Sequence, residues 1–176
     1  MPSVLISNIM MLNERDRFDA ILKDAGYDPI WADVSQYLKE ADCLEFAGRV
    51  DGWLAGDDAI TAKVMEAYLP RLKVISKWGT GIDSIDLEAA KARNLPVLNS
   101  PGAFAHAVGE CAIGYMLMMM RDLCLIDRSV RAGNWTKPRG VSPRGKTMGV
   151  IGFGAIGSCV GALASKLGMQ VIYSDP

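Results

Sequence analysis

Histidine is nearly absent from this 176-residue chain: His106 is the only one. The four cysteines, Cys43, Cys111, Cys124 and Cys159, form no C-x-x-C pair, so no zinc site is expected. Charge of one sign is also missing. Lys and Arg number 19 against 20 Asp and Glu, a formal net charge of −1, and no overall field favours nucleic acid or an anionic membrane. No apolar run reaches the ~20 residues that span a bilayer. The longest candidate, "CAIGYMLMMM" from Cys111 to Met120, stops between Glu110 and Arg121 and reads as a buried helix, apolar on nearly all sides. The opening "MPSVLISNIMMLNERD" has no basic leader and no small-residue cleavage site, so no signal peptide is expected. Free thiols in a reducing, cytoplasmic setting follow.

What remains is a chain that is 50% hydrophobic and 22% charged, as in ordinary globular domains. Strand and helix signals alternate from the start. "VLI" at Val4–Ile6 is a short strand. Asn13 is placed to cap a helix running to about Ala25, with Phe18, Ile21 and Leu22 at helical spacing and Gly26 as its stop. "YDPIWAD" reads as a second strand, residues 35–46 as helix, and "VDGWLAG" as a third strand. Thr61 caps "AKVMEAYL", which Pro70 ends. "LKVISKWG" is a fourth strand, Asp86 caps a helix through Ala92, and "LPVLNS" is a fifth strand. Repeated βα units with short connections predict a parallel sheet whose post-strand loops gather at one edge, where open α/β proteins bind ligands. The stretch from Arg121 to Lys146 is rich in Gly and Pro and holds seven Lys and Arg residues. Lacking interleaved aromatic stacking positions, it reads as a solvated connector or subunit contact rather than a nucleic-acid patch.

Two glycine turns carry the chemistry. "TMGVIGFGAIGS" contains Gly152-x-Gly154-x-x-Gly157 after the strand "MGVI" and before the helix "AIGSCVGALASKLG". In that context Gly152 permits the tight turn, Gly154 lets backbone approach a pyrophosphate, and Gly157 lets helix and strand pack closely. Ala155 and Ile156 occupy the turn between them. The helix N-terminus offers unpaired N–H groups and its positive dipole end to the phosphates. Asp175 follows the next strand, 18 residues beyond Gly157. An acid there accepts hydrogen bonds from the adenosine ribose and repels a 2′-phosphate, so NAD is favoured over NADP as cofactor. The second turn, Gly79-Thr80-Gly81, directly follows the fourth strand. Its exposed N–H groups and the Thr80 hydroxyl suit a carboxylate, and a tight connection without any ligand suits the composition equally well.

The succession "WGTGIDSIDLEAAKARNLPVLNSPGAFAHAVGECAIGYMLMMMRDL", "RAGNW", "RGKTMGVIGFGAIG" and "VIYSDP" resembles the D-isomer-specific 2-hydroxyacid dehydrogenases, above all their phosphoglycerate dehydrogenase-like branch. The resemblance implies an α/β fold: a flavodoxin-like parallel-sheet substrate domain over residues 1–100, an interdomain helix and connector over 101–146, and the first, incomplete βαβ unit of a Rossmann NAD-binding domain over 147–176. It implies hydride transfer between NAD and C2 of a small D-2-hydroxy or 2-oxo acid, in a homodimer. By motif, Gly79, Thr80 and Gly81 hold the substrate carboxylate, and Thr80 also lies near the nicotinamide. Gly152, Gly154, Ala155, Ile156, Gly157 and Asp175 hold the adenosine half of NAD.

Three departures from the family pattern matter. Ala155 stands where many members have Arg. "WLAGDD" replaces an Arg-Ser pair of phosphoglycerate-specific members, and Asp57 and Asp58 would repel a phosphate. The family's catalytic Arg, Glu and His belong to segments downstream of those matched here, so no catalytic residue is assigned. His106, just after "NSPG", reads as a polar residue at the start of the interdomain helix, and Asn99, Glu110 and Arg121 as structural, through buried hydrogen bonds or helix-end pairs. The expectation is an N-terminal portion, inactive alone, of an enzyme of roughly 310–340 residues in two domains. The alternative is a non-catalytic nucleotide-binding or dimerisation module of the same fold.

Overall fold

Short apolar runs become strands, and the helices between them are capped by side chains close in sequence. The computed structural model describes residues 1–176, which divide into two compact units, Met1–Pro101 and Gly102–Pro176.

In the first unit, β1 (Ser3–Ile6), β2 (Asp28–Trp31), β3 (Gly52–Ala55), β4 (Val74–Lys77) and β5 (Val97–Leu98) form one sheet in the order β2-β1-β3-β4-β5. Every pairing is parallel. This is the flavodoxin-like order. All four residues of β1 are buried, as a central parallel strand requires. Because β1 pairs with β2 on one side and β3 on the other, the ends of β1 and β3 border the crevice where the strand order reverses.

Trp53, stacked on Tyr68 at 5.1 Å, anchors the larger core with Leu5, Ile75, Val64 and Met65. That core also takes in residues of α3 (Glu40–Leu44), α4 (Ala62–Tyr68) and α5 (Leu87–Ala92). Val4, Ile6 and Met11 form a smaller cluster with Phe18 and Leu22 of α2 (Arg15–Asp24). Thr61 and Asp86 cap as expected: the Thr61 hydroxyl accepts from Val64 N at 3.3 Å, and the Asp86 carboxylate from Ala89 N at 2.9 Å.

Two expectations change here. Asn13 caps nothing. It is the last residue of α1 (Ile9–Asn13), whose cap is Asn8, accepting from Met10 N and Met11 N. The helical conformation is interrupted at Glu14 (φ −117°, ψ 36°) before α2 begins. The helix expected over residues 35–46 shrinks to α3, because the Leu38 N–H donates to the distant Asp58 carboxylate at 2.8 Å and the Lys39 N–H to Asp42 at 3.0 Å. A tertiary bond at Leu38 keeps the preceding residues out of a helical ladder.

Cys43 of α3 is fully buried, and burial, aided by the charges of Asp58 and Asp42, pushes its thiol up to about 12. Cys111 and Cys124 are exposed. Brief iodoacetamide treatment of the folded chain at pH 8 is expected to alkylate Cys111 and Cys124 and spare Cys43 until denaturant is added. Equal labelling of all three by mass spectrometry would contradict this packing.

The second unit contains α6 (Ala105–Met120), α7 (Leu123–Arg131), β6 (Thr147–Ile151), α8 (Ala155–Lys166) and β7 (Gln170–Ser174). Strands β6 and β7 pair in parallel, Thr147 opposite Gln170 through Ile151 opposite Ser174. Helix α6 packs on α8 through a small-residue contact: a Cβ on Gly109 would lie 2.9 Å from Cys159 Sγ. Only Gly109 and Ile113 of α6 are buried, whereas Tyr115 and Met119 are 63% and 74% exposed. The expectation of a helix buried on nearly all sides is therefore corrected, since within this unit one side alone meets α8. The stretch after α6 is also more ordered than its composition suggested. It forms α7 and then returns to the end of α6, where Val141 N donates to Met120 O at 2.6 Å. There a Cβ on Gly140 would sit 3.0 Å from Arg121 Cα. No helix is long and apolar enough to cross a membrane.

Candidate functional site

In the first unit the site grows from the ends of β1, β3 and β4. Ser7 ends the β1 run, and its hydroxyl accepts from Trp53 Nε1 at 2.8 Å and donates to Asp58 Oδ2. Gly56 N also donates to that oxygen at 2.9 Å, and Leu38 N to Oδ1. The fully buried Asp58 carboxylate thus ties three chain segments together across the switch point. Gly56 makes the approach feasible, since a Cβ there would lie 3.2 Å from Ser7 O. Burial raises the Asp58 carboxyl above its ordinary value of 3.8, and the hydrogen bonds from Ser7, Leu38 and Gly56 pull it partly back.

The Gly79–Gly81 turn leaves β4 directly. Gly79 has φ +145°, a conformation that side chains resist. The turn is stapled to the segment after β5: Ser100 N donates to Gly79 O at 2.8 Å, Thr80 Oγ1 to Ser100 O at 3.0 Å, and Asn99 Nδ2 to Thr80 O at 2.7 Å. The N–H groups of Thr80, Gly81 and Ile82 make no backbone hydrogen bond. Backbone N–H groups left without acceptors in a glycine turn are available to an anion.

Sequence reasoning did not single out Lys77, the last residue of β4. Only 5% exposed, its ammonium lies 2.5 Å from Asp57 Oδ1. A lysine at the end of a buried strand, twenty positions after an exposed acid, is a signal only once the β3–β4 register is known. Asn99, expected as a buried structural residue, is exposed, although it does make a structural hydrogen bond. Glu110 and Arg121 are likewise exposed.

In the second unit, Gly152 (φ +84°) turns the chain sharply out of β6. Gly154 occupies the cap position of α8 and provides no side chain. The first hydrogen bond of α8 runs from Ser158 N to Gly154 O, at 2.9 Å, which leaves the N–H groups of Ala155, Ile156 and Gly157 without helical acceptors. Gly157 lies against the turn: a Cβ there would fall 2.0 Å from Gly152 O. Gly152 and Gly154 have open space where a Cβ would be. Asp175 closes the arrangement, its Oδ1 accepting from Phe153 N at 2.7 Å. All the glycine-motif residues and Asp175 are thus brought to one end of β6 and β7. His106 is elsewhere in this unit, in the first turn of α6, with Nδ1 3.7 Å from Cys159 Sγ.

Comparison with known proteins places this geometry. The family model for "D-isomer specific 2-hydroxyacid dehydrogenase, catalytic domain" matches residues 4–172. The chain is 37% identical over 155 residues to D-3-phosphoglycerate dehydrogenase 2, chloroplastic, of Arabidopsis thaliana, covering 87% of this chain and 24% of that protein. It is 37% identical over 146 residues to hydroxypyruvate reductase of Thermotoga maritima, covering 81% of this chain and 47% of that one. Among solved structures, apo D-lactate dehydrogenase of Escherichia coli superposes with a TM-score of 0.77 at 26% identity, covering all of this chain and 55% of that one. The chain therefore spans about half the length of such structures or less.

Proposed function

The chain belongs to the D-isomer specific 2-hydroxyacid dehydrogenase family, and we propose that it supplies the carboxylate-binding turn and the adenosine half of the cofactor site of an NAD-dependent oxidoreductase acting on a small D-2-hydroxy or 2-oxo acid. The observation that carries this reading is the uncapped start of α8 beneath the Gly152–Gly157 turn, with Asp175 fastened to the same turn. Unpaired N–H groups and a positive helix end suit a pyrophosphate, and the open space at Gly152 and Gly154 admits it closely. Ala155 and Ile156 contribute backbone donors alone. Asp175, already hydrogen-bonded through one oxygen, has the second for a ribose hydroxyl, and its charge opposes a 2′-phosphate. When bound, NAD supplies the hydride acceptor.

In the first unit, the N–H groups around Thr80 and Gly81 hold the acid's carboxylate and so orient C2. Residues 1–100 act as substrate domain, 101–146 as interdomain helix and connector, and 147–176 as the opening of the NAD domain. The exposed apolar residues Met119 and Trp135 suit a homodimer contact of the whole enzyme. Four free cysteines suit a cytoplasmic setting. A general base and a substrate-polarising cation are assigned to no residue of this chain, so turnover by it alone is not expected.

The test is calorimetric titration of the 176-residue chain with NAD and NADP. NAD is expected to bind more tightly, and Asp175→Ala to narrow that preference. Tighter binding of NADP, or a full rate of NADH consumption with 2-oxo acids by this chain, would refute the reading.

A further inference from the structure

Two successive backbone donors tie the Gly152–Gly157 turn to the end of β7. Gly152 N donates to Ser174 O at 2.8 Å, and Phe153 N to Asp175 Oδ1 at 2.7 Å. The Phe153 side chain folds back against the same unit, where two contacts hold its ring. It lies over Gly161 of α8, where a Cβ would be 3.0 Å from Cε2 and 3.2 Å from Cζ. It also stacks on Tyr173 of β7, with ring centroids 4.0 Å apart and planes 16° from parallel. A glycine slot and a second ring thus fix the side chain of the very residue whose N–H holds the acid. Tyr173 itself stays 62% exposed, so its ring adds little to the core and its replacement costs the fold little.

We propose that Phe153 and Tyr173 are positioning residues, whose stacked rings hold the Asp175 carboxylate in the orientation that recognises the 2′-hydroxyl of an adenosine ribose. This deepens, and rests on, the reading of Asp175 as the ribose acceptor. The carboxylate of an exposed aspartate turns readily about its terminal bond. The hydrogen bond from Phe153 N stops that rotation only if the N–H keeps its own direction. Regular structure does not set this direction, because the preceding residue is Gly152, at φ +84°, where β6 has ended. The Phe153 ring, held by α8 on one side and β7 on the other, sets it instead. With Oδ1 fixed, Oδ2 is presented at one place. The free N–H groups of Ala155, Ile156 and Gly157 belong to the first turn of α8 and do not depend on the stack. Loss of the rings therefore falls on the ribose contact, not on the pyrophosphate.

The probes are ADP and 2′-deoxy-ADP, which share the pyrophosphate and differ in that one hydroxyl. Calorimetric titration of the 176-residue chain gives the ratio of their affinities. The wild-type chain is expected to prefer ADP, and Asp175→Ala to erase the preference. Tyr173→Thr keeps a β-branched residue in the strand and removes the ring. It is expected to shrink the preference by about threefold to tenfold, the scale of one aromatic pair. Phe153→Leu, which still fills the space over Gly161 but cannot stack, is expected to do the same. Tyr173→Phe keeps the stack, drops only the hydroxyl and is expected to retain the wild-type ratio. A merely structural role weakens both nucleotides alike, so an unchanged ratio in Tyr173→Thr and Phe153→Leu overturns the positioning role and leaves the cofactor site standing. Loss of the preference in Tyr173→Phe overturns it too, since the stack is then not what acts. Equal binding of the two nucleotides by the wild-type chain overturns the ribose role of Asp175 and the positioning role with it. Binding of neither overturns the cofactor site as a whole.

Discussion

Gly157→Ala is expected to abolish NAD binding and to loosen the second unit. A Cβ at this position would fall 2.0 Å from Gly152 O, 3.0 Å from Gly152 C and 3.2 Å from Val150 Cγ1. The first two neighbours are backbone, so no rotamer change relieves the overlap. Either α8 moves off β6 or the Gly152 turn opens, and both destroy the alignment of the free N–H groups with Phe153 and Asp175. Overpacking at a site this tight costs at least about 3 kcal/mol. NAD affinity should fall by more than about a hundredfold, the same energy expressed as binding, and denaturant melts of the variant should show an early transition. Near-normal affinity in the alanine variant would mean that the turn does not hold the pyrophosphate as proposed. Gly154→Ala is the instructive contrast. Its Cβ meets open space, so the fold survives and only the approach of the phosphates suffers.

Asp58→Leu is expected to unfold the first unit or bring it close to unfolding. The substitution removes the acceptor for Ser7 Oγ, Leu38 N and Gly56 N together, and through Ser7 it disturbs the bond from Trp53 Nε1. Buried donors left without partners cost about 1–3 kcal/mol each, and partial relaxation brings the sum to roughly 3–5 kcal/mol. That is a large part of the stability of an ordinary domain. Urea titration monitored through the buried Trp53 checks it, and a midpoint unchanged from wild type would show that the network is dispensable.

Asp58→Asn keeps the shape and should lose less, with a distinct pH signature. Because the folded-state carboxyl titrates above its ordinary value of 3.8, the folded chain takes up a proton before the unfolded chain does. Asp58 thus adds stability as pH falls through the folded value toward 3.8, and the full contribution persists below it. The asparagine variant lacks this gain, so its stability should decline more steeply over the same acid interval.

These residues also mark how far the chain could be read without its structure. Thr61 and Asp86 were legible as caps because the donors they serve lie three positions away. The glycine motif was legible because strand, turn, helix and acid follow one another within a single βαβ unit. Asn8 and Asn13 are indistinguishable by type, and the choice between them depends on the interruption of the helix at Glu14. The short α3 was illegible for a stronger reason. The Lys39 N–H bond to Asp42 that caps it is local, but the bond that holds Leu38 outside the helix runs to Asp58, twenty residues on, and no local propensity encodes that. The Lys77–Asp57 pair was hidden in the same way, since it exists only when β4 lies beside β3. For α6, an apolar composition implied burial, but composition does not say which neighbours a helix meets, and within its own unit the contacts of α6 leave residues such as Tyr115 and Met119 exposed.

The return of the chain to Met120 has a consequence for evolution and engineering. Between Met120 and Val141 the backbone leaves α6, builds α7 and comes back to a hydrogen bond at its own point of departure. An excursion closed at its base is insulated from what flanks it. Residues inserted into or deleted from the tip around Gly133 change the reach of the excursion while leaving the spacing between α6 and β6 as it was, and lengthening adds only slowly to the entropy of closure. The segment is therefore a place where chains of this fold can differ in length without any adjustment of the cofactor turn that follows.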